Sequence, residues 1–327
     1  MTSGSYMYER IISLENLFEA WAEFLKGKKK RADVAIFSER LSENIYALHT
    51  ELTDKTYTHS SYSAFNISDP KPRNIHKASV RDRLLHHAIY KILYPYFDKK
   101  FIHDSYSCRV NKGTHKAMGR FKSFGRKVSR NNTKQCWILK CDVRKFFASI
   151  DHETLLKILE NHIQDRNTLW LLERIITSFE ISSGRGLPLG NLTSQLLVNV
   201  YMNEFDHFVK HKLKAKYYIR YADDFVFFSQ NKSELTELIT TSASYLGSRL
   251  KLSLHPDKVF IKTLSSGVDF LGWVHFPNHR VLRTVTKRRM LKNLAKNSSS
   301  ETHTSYLGLL KHGNTYKLKK IVESFKI

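Results

Sequence analysis

The 327-residue sequence predicts an α+β fold that contains an antiparallel sheet. Three stretches support this prediction. YYIRYADDFVFF (residues 217–228) is an aromatic and β-branched run interrupted by two aspartates, which predicts a hairpin. VDFLGWVHF (residues 268–276) predicts a second strand pair. LTSQLLVNVYMNEFDHFV (residues 192–209) carries Leu, Val and aromatic side chains at helical spacing. With 41% hydrophobic residues, the chain can form a packed core.

The remaining elements follow in chain order. About the first 30 residues predict a helix, and the KGKKKR run at residues 26–31 is either its solvated face or a nucleic-acid contact. Residues 60–136 are mixed, with a strand, a basic loop and a helix that begins near Val80. WILKCDVRKFFASID (residues 137–151) begins as a short apolar strand that ends at an aspartate. A helix is expected through residues 233–250. The tail, residues 281–327, carries 11 Lys or Arg and two acids and predicts helices with a basic face.

The charge balance indicates a polyanionic partner. The chain has 54 Lys and Arg against 30 Asp and Glu, a formal charge of +24, so nucleic acid is the leading candidate. A cationic membrane-surface protein is the alternative, but no stretch joins a long apolar face to flanking basic residues, and no apolar run would span a bilayer. The polar N-terminus lacks the apolar core of a signal peptide, and Cys108, Cys136 and Cys141 show no paired CxxC spacing. We therefore expect a reduced, cytoplasmic protein without a membrane partner.

Three acidic residues are the candidates for chemistry. Asp142 ends an apolar strand, and Asp223 and Asp224 lie in the predicted hairpin. Adjacent strand residues point to opposite faces, so we expect only one of the pair to share a face with Asp142. Convergent carboxylates repel each other unless a hard cation with oxygen ligands is bound, and Mg²⁺ suits such a site. Two such ions stabilise the attacking and leaving oxygens in phosphoryl transfer. A solvated turn is the alternative for the aspartate pair.

Five motifs resemble those of reverse transcriptases, in the family's order, over about residues 65 to 275. RYADDF resembles the catalytic box, and CDVRKFFASIDH (residues 141–152) resembles the first aspartate motif. GLPLGNLTSQLLVNVYMNEFD (residues 186–206) resembles the segment that reads QGGPLSP in group II intron enzymes. FLGW (residues 270–273) resembles the primer grip, and KPRNIHKASVRDR (residues 71–83) resembles the fingers motif.

One segment narrows the resemblance to a subfamily. Where intron enzymes have Gln-Gly-Gly and then Ser-Pro, this chain has Leu189, Gly190 and Asn191 and then Ser194 and Gln195. GNLTSQ, together with SCRVNKGTH (residues 107–115), is most similar to reverse transcriptases of diversity-generating retroelements. These enzymes copy a template RNA into adenine-mutagenised cDNA that replaces a variable repeat in a target gene. The length fits that compact family, so we expect no added RNase H, maturase or endonuclease domain.

The resemblance implies a right-hand polymerase with fingers, an antiparallel palm and a short helical thumb. We expect an N-terminal extension and fingers at residues 1–138, a palm at 139–280 with a fingers-contributing segment near 155–185, and a thumb at 281–327. The implied partners are template RNA, the cDNA/RNA duplex, dNTPs and a small basic accessory protein that forms a ring. The implied cofactor is a pair of Mg²⁺ ions, with Mn²⁺ as a substitute.

The resemblance also implies roles for individual residues. Asp142, Asp223 and the backbone carbonyl of Val143 would bind the metals, and Asp224 is the less certain ligand because its side chain should leave the opposite face. The dNTP site would comprise Lys71, Arg73, Phe147, Leu189, Gly190 and Lys258. Phe147 would exclude a 2′-hydroxyl by its bulk. Leu189 either loosens base selection, because relatives have a glutamine there, or simply packs. Lys258 would protonate pyrophosphate or be an exposed lysine.

The resemblance assigns the remaining residues to primer and template contacts. The candidates are Tyr221, Arg109, Gln195, Gly272, Trp273, Lys287, Arg288 and Arg289. The alternatives are a core tyrosine for Tyr221 and a structural ion pair for Arg109, and a basic loop touching the template backbone is the alternative for Lys71 and Arg73. Lys287, Arg288 and Arg289 would bind the duplex through its phosphates, without sequence preference. Gly272 would permit a tight turn.

Three other functions compete with this prediction. Another bacterial reverse transcriptase, of the antiphage-defence or domesticated intron type, is the first. A catalytically silent RNA-binding relative is the second, and the intact aspartates argue against it. An RNA-directed RNA polymerase is a distant third, which Phe147 disfavours.

Overall fold

The computed structural model describes residues 6–68, 72–296 and 299–325. Its helices are α1 (Met7–Ile12), α2 (Leu14–Leu25), α3 (Ala32–Glu39), α4 (Leu41–Thr53), α5 (Val80–Asp98), α6 (Thr114–Val128), α7 (Phe146–Ser149), α8 (His152–Glu160), α9 (Arg166–Thr177), α10 (Leu192–His207), α11 (Lys232–Leu250), α12 (Thr284–Lys296), α13 (Ser300–Leu310) and α14 (Tyr316–Ser324). Its strands are β1 (Ser63–Ile67), β2 (Arg73–Lys77), β3 (Trp137–Asp142), β4 (Tyr218–Tyr221), β5 (Asp224–Ser229), β6 (Phe260–Thr263), β7 (Val268–Phe270), β8 (Trp273–His275) and β9 (Arg280–Leu282). These elements confirm the predicted α+β class with antiparallel sheets.

The chain divides into two compact units. Unit 1 comprises Met1–His103, Val143–Leu213 and Ser244–Ser253. Unit 2 comprises Asp104–Asp142, Lys214–Ala243 and Leu254–Ile327. The three-part division predicted at residues 138/139 and 280/281 stays a prediction.

Unit 1 is mainly helical and is organised around α5. This helix begins at Val80, as predicted, because Ser79 Oγ accepts a hydrogen bond from Asp82 N at 3.1 Å and caps its N-terminus. Helices α1, α2 and α10 pack against α5. The first predicted helix is divided at Ser13, whose side chain caps α2 by accepting from Asn16 N. Strands β1 and β2 form a separate antiparallel hairpin.

Unit 2 contains a four-stranded antiparallel sheet in the order β4-β5-β3-β6. Strand β3 lies between β5 and β6, and after the half-buried Trp137 its residues are buried. Helix α6 packs against β4 and β5, where Phe121 and Phe124 meet Ile219 and Phe228 in one apolar core. Two-sided burial explains why β3 is a nearly continuous apolar run rather than an alternating one.

A second sheet in unit 2 has the order β7-β8-β9, all antiparallel. Its first turn places Leu271 at φ 53° and Gly272 at φ 84°, which is the left-handed pair that a two-residue hairpin turn requires. Trp273 then enters a core made with residues of α6, β9, α12, α13 and α14. Strand β9 was not anticipated from the sequence.

No helix within the described ranges is both long enough and apolar enough to cross a membrane.

Candidate active site

The pairing of β3 with β5 places two of the three candidate aspartates directly opposite each other. Asp142 is in register with Asp224. Residues directly opposite in an antiparallel pair project from the same face of the sheet. The expectation that Asp224 leaves the opposite face, and that Asp223 shares the face of Asp142 by strand alternation, is therefore wrong. Asp223 lies in the two-residue turn between Tyr221 and Asp224, where strand alternation does not apply.

Partly buried polar contacts hold the turn that carries Asp223. Ala222 adopts φ 54°, a conformation that favours glycine. The guanidinium of Arg220, which is fully buried, donates from Nη1 to the Ala222 carbonyl oxygen at 3.1 Å. The hydroxyls of Tyr221 and Thr114 are hydrogen-bonded at 3.1 Å. These contacts maintain a backbone conformation that alanine would not adopt readily on its own.

Two lysines partly neutralise the carboxylates. Lys140 Nζ lies 3.2 Å from Asp224 Oδ1, and Lys258 Nζ donates to Asp142 Oδ1 at 2.9 Å. Burial, followed by the charges of Asp224 and then Asp142, raises the pKa of Asp223 to about 6. Three carboxylates against two ammonium groups leave one negative charge at the end of β3 when all are ionised.

The donor chemistry of this cluster fits a hard divalent cation. Carboxylate oxygens are the ligands that Mg²⁺ and Mn²⁺ prefer, and a cation would offset the repulsion that raises the pKa of Asp223. In the part of the chain that the structure describes, no three His, Cys, Asp or Glu side chains converge as a complete ligand set. The fit of a divalent cation to this site therefore rests on the oxygen donors and on the net negative charge of the cluster.

The other predicted residues of unit 2 lie in several environments. Arg109 is half-buried and donates from Nη1 to Ser105 O at 3.0 Å. Lys287 and Arg288 are exposed on α12, and Arg289 is half-buried there. Trp273 requires a correction, because its side chain is only 2% exposed and packs inside the core. A direct contact between that indole and a primer is not compatible with this burial.

The remaining predicted residues belong to unit 1, except Lys71, which lies outside the described residues. Arg73 is exposed at the start of β2, Val143 is buried directly after Asp142 in sequence, and Phe147 is half-buried in α7. Gln195 is half-buried in the first turn of α10.

The segment from Leu189 to Asn191 is tied to β2 within unit 1. Leu189 O accepts from His76 N at 3.1 Å, and Asn191 Nδ2 donates to His76 O at 2.9 Å. Gly190 adopts φ 103°, and a Cβ there would approach Ile75 Cγ2 to 2.8 Å. The GN dipeptide thus fixes the backbone that presents the half-buried Leu189.

Sequence reasoning missed two site residues, Lys140 and Arg220. Lys140 precedes Asp142 by two residues, so strand alternation places both on one face and could have identified it. Arg220 gave no comparable signal, because its function depends on the turn conformation rather than on a sequence pattern.

Comparison with known proteins agrees with this geometry. A model of the family described as reverse transcriptase (RNA-dependent DNA polymerase) matches residues 33–275. Protein YkfC of Escherichia coli (strain K12) is 26% identical over 254 residues, which cover 66% of this chain and 65% of that protein. The group II intron-encoded protein LtrA of Lactococcus lactis subsp. cremoris is 22% identical over 324 residues, covering 77% of this chain and 52% of LtrA. The chain thus spans between about half and two thirds of these relatives.

A solved structure gives the fold-level likeness. Apo telomerase from Candida tropicalis, truncated from the C-terminal domain, aligns with a TM-score of 0.50 at 12% identity. The alignment covers 72% of this chain and 59% of that one. At this identity the likeness concerns the fold alone, and it supports the right-hand polymerase class predicted from the sequence.

Proposed function

Because the chain belongs to the reverse transcriptase (RNA-dependent DNA polymerase) family, we propose that it copies an RNA template into DNA by adding dNTPs to the 3′ end of a primer. The observation that carries this proposal is the carboxylate cluster: Asp142 and Asp224 face each other across two strands, with Asp223 at the adjoining turn. A silent RNA-binding relative would have no need to keep three mutually repelling carboxylates in one place.

The residues of this cluster have different proposed roles in the reaction. Asp142, Asp223 and Asp224 would hold the divalent cations. When bound, these ions stabilise negative charge on the attacking and leaving oxygens. Lys140 offsets the negative charge of Asp224 through the contact at 3.2 Å. Lys258, on Asp142, is the proposed source of a proton for the departing pyrophosphate.

The family resemblance supplies the residues of the proposed nucleotide selectivity. Phe147 would exclude the 2′-hydroxyl of a ribonucleotide by its bulk, and Arg73 would bind phosphate oxygens through its guanidinium. Leu189 would lie near the nascent base pair. Both Phe147 and Leu189 are half-buried, so part of each side chain is open to a ligand.

Primer extension tests the proposed activity. The purified chain is incubated with an RNA template, an annealed DNA primer, dNTPs and Mg²⁺, and the matched control is Asp223→Asn. We expect cation-dependent extension that Asp223→Asn abolishes and EDTA stops. Equal extension by wild type and Asp223→Asn would refute the assignment of the cluster. No extension by wild type with any suitable RNA would favour the silent relative.

At a finer level, we propose that the enzyme belongs to a diversity-generating retroelement and is error-prone opposite template adenines. The support is the GNLTSQ segment and the aliphatic Leu189 in place of a glutamine. An aliphatic side chain offers no hydrogen bond with which to penalise a misaligned base pair. A small basic accessory protein that forms a ring is the proposed protein partner, alongside template RNA and the cDNA/RNA duplex.

Leu189→Gln tests the fidelity proposal. Misincorporation opposite template adenine is compared with misincorporation opposite template guanine, uracil and cytosine, for wild type and variant, by sequencing the products. We expect the variant to lower errors at adenine selectively. Unchanged errors would show that Leu189 only packs. A neighbouring pair of template and variable repeats with adenine-biased differences would separate this subtype from defence or domesticated intron enzymes.

A further inference from the structure

A pocket in unit 2 is not used by the proposed polymerisation chemistry. Its volume is about 380 Å³, which falls in the range of small-molecule sites. It is lined by residues of α6, of the β8–β9 connection, and of the HGN tripeptide at residues 312–314. The HGN tripeptide lies in the tail that the sequence predicts as the thumb, and it forms one wall of the cavity.

The lining combines cations, flat rings and amides. Lys122 and Arg280 contribute positive charge, and none of the described residues that line the cavity is acidic. The exposed His279 ring is stacked on Phe276 with centroids 4.8 Å apart and an interplanar angle of 9°. Phe276 is in turn supported by Gly267, where an added Cβ would approach the ring to 2.7 Å. Asn278 and Asn314 add amide donors and acceptors.

The HGN wall is fixed in place by its neighbours. Asn314 N donates to Arg280 O at 2.8 Å, and Arg280 Nε donates to His312 O. Gly313 has no space for a side chain, because a Cβ would lie 2.0 Å from Trp273 Cζ3. The pocket is therefore bounded by ordered backbone on this side.

The pocket is separate from the carboxylate cluster. Leu264, which lines the pocket, donates from its backbone N to Cys136 O at 2.8 Å, next to the start of β3. Asp142 ends that strand six residues later. At about 3.3 Å per residue, the two places are about 20 Å apart along the strand.

A basic surface adjoins the pocket along α6. No Asp or Glu occurs between Asp104 and Asp142, while ten Lys and Arg do. Lys116, Lys122, Arg126 and Lys127 are exposed on α6, and Lys122 also lines the pocket. This arrangement suits a phosphate backbone that follows the helix while one nucleotide enters the cavity.

We propose that this pocket binds one nucleotide of a single-stranded nucleic acid, with its base on the His279–Phe276 stack and its phosphate near Lys122 and Arg280. The amides of Asn278 and Asn314 meet the edge of the base. The acid-free face of α6 favours a strand over a free mononucleotide. This inference rests on the proposed function only in taking nucleic acid as the partner.

Photocrosslinking tests the proposal in the full chain carrying Asp223→Asn, which prevents extension. The probe is a single-stranded RNA oligomer with 4-thiouridine, and crosslinked peptides are mapped by mass spectrometry. We expect crosslinks in residues 276–280 or 312–314. Lys122→Glu and His279→Ala should each weaken oligomer binding about tenfold, measured by fluorescence anisotropy.

Matched variants separate the pocket from general charge. Lys232→Glu makes the same charge change at an exposed residue of α11, outside both the pocket and α6, and His279→Tyr keeps a stacking ring. Both should change binding much less than their counterparts. Equal losses for Lys122→Glu and Lys232→Glu, or crosslinks only elsewhere, would overturn the proposal.

Two further measurements identify the source of the bound nucleotide and separate the pocket proposal from the polymerase proposal. UMP should displace the oligomer only weakly, and displacement at the oligomer's own concentration would instead make a free nucleotide the ligand. Extension of a short primer on RNA by the wild-type chain is measured in parallel. Crosslinking without extension contradicts the polymerase proposal alone, and extension without crosslinking contradicts the pocket alone.

Discussion

The contact between Lys140 and Asp224 gives a prediction whose magnitude follows from the structure. The variant is Lys140→Met, which keeps the length of the side chain and removes its charge. At the observed 3.2 Å, the attraction is about 5 kcal/mol at an effective dielectric constant of about 20. The side chains of Lys140 and Asp224 are only 11% and 24% exposed, so water in the variant replaces only part of this attraction. We expect the free energy of unfolding to fall by about 2–3 kcal/mol.

Lys258→Met is the matched control. Its ammonium is closer to its partner, 2.9 Å from Asp142, but its side chain is 43% exposed. Ion pairs that are open to solvent contribute only about 0–1 kcal/mol. Burial, rather than distance, therefore predicts that Lys140→Met costs more stability than Lys258→Met.

Urea unfolding at pH 7.5 in EDTA, followed by circular dichroism, measures both variants. A double-mutant cycle with Asp224→Asn then isolates the pair, because Asn needs no counter-charge. We expect Lys140→Met to cost markedly less in the Asp224→Asn background. A Lys258→Met loss as large as that of Lys140→Met, or a cycle without coupling, would refute the reasoning.

Three further predictions concern the rest of the described structure. Burial lowers the pKa of His86 to about 3 and of His87 and His275 to about 4. These folded-state pKa values lie below the unfolded value of about 6.5. The contribution of each histidine to the free energy of unfolding is therefore fully present above that pH and falls as the pH drops towards 4, by up to about 1.4 kcal/mol per pH unit. Urea unfolding midpoints across this pH range measure the loss, and His87→Gln should reduce its slope. Gly190→Ala should cost about 1–3 kcal/mol from its φ of 103° and its approach to Ile75, and Ile75→Ala should recover only the steric part in a thermal-melt cycle. Gly313→Ala should lower the melting temperature through its overlap with Trp273, and an unchanged melt would contradict the packing of that indole.

Much of the fold was predictable because local patterns coincide with tertiary burial. The sequence predicts that helix α5 begins near Val80 after a basic loop, and a serine cap fixes its start there. Strand β3 was recognised as an apolar run ending at Asp142, which matches a central strand buried on both faces. Strand β9 has only three residues and is stabilised by pairing with β8, so its own sequence carries little signal.

The pocket and the burial of Trp273 depend on distant chain segments. Trp273 lies 40 residues before Gly313, and only the folded chain places the glycine against the indole. A tryptophan at the end of a turn is equally consistent with an exposed ligand contact and with a core position. The absent Cβ at residue 313 decides between them, because it lets the backbone approach the ring and close the wall of the cavity.

The aspartate pair shows why strand alternation alone predicts the wrong sheet face for Asp224. Alternation through YADD places Tyr221 and Asp223 on one side, but the turn contains Ala222 and Asp223, so the ladder resumes at Asp224. Ala222 carries no glycine or asparagine signature of a left-handed turn residue, although its φ is 54°. Its conformation is maintained by the buried Arg220 guanidinium and by the register of β5 on β3, which pairs residues 82 to 92 positions apart. Non-local pairing therefore determines which carboxylate faces Asp142, and both Asp223→Asn and Asp224→Asn are needed to assign their separate contributions.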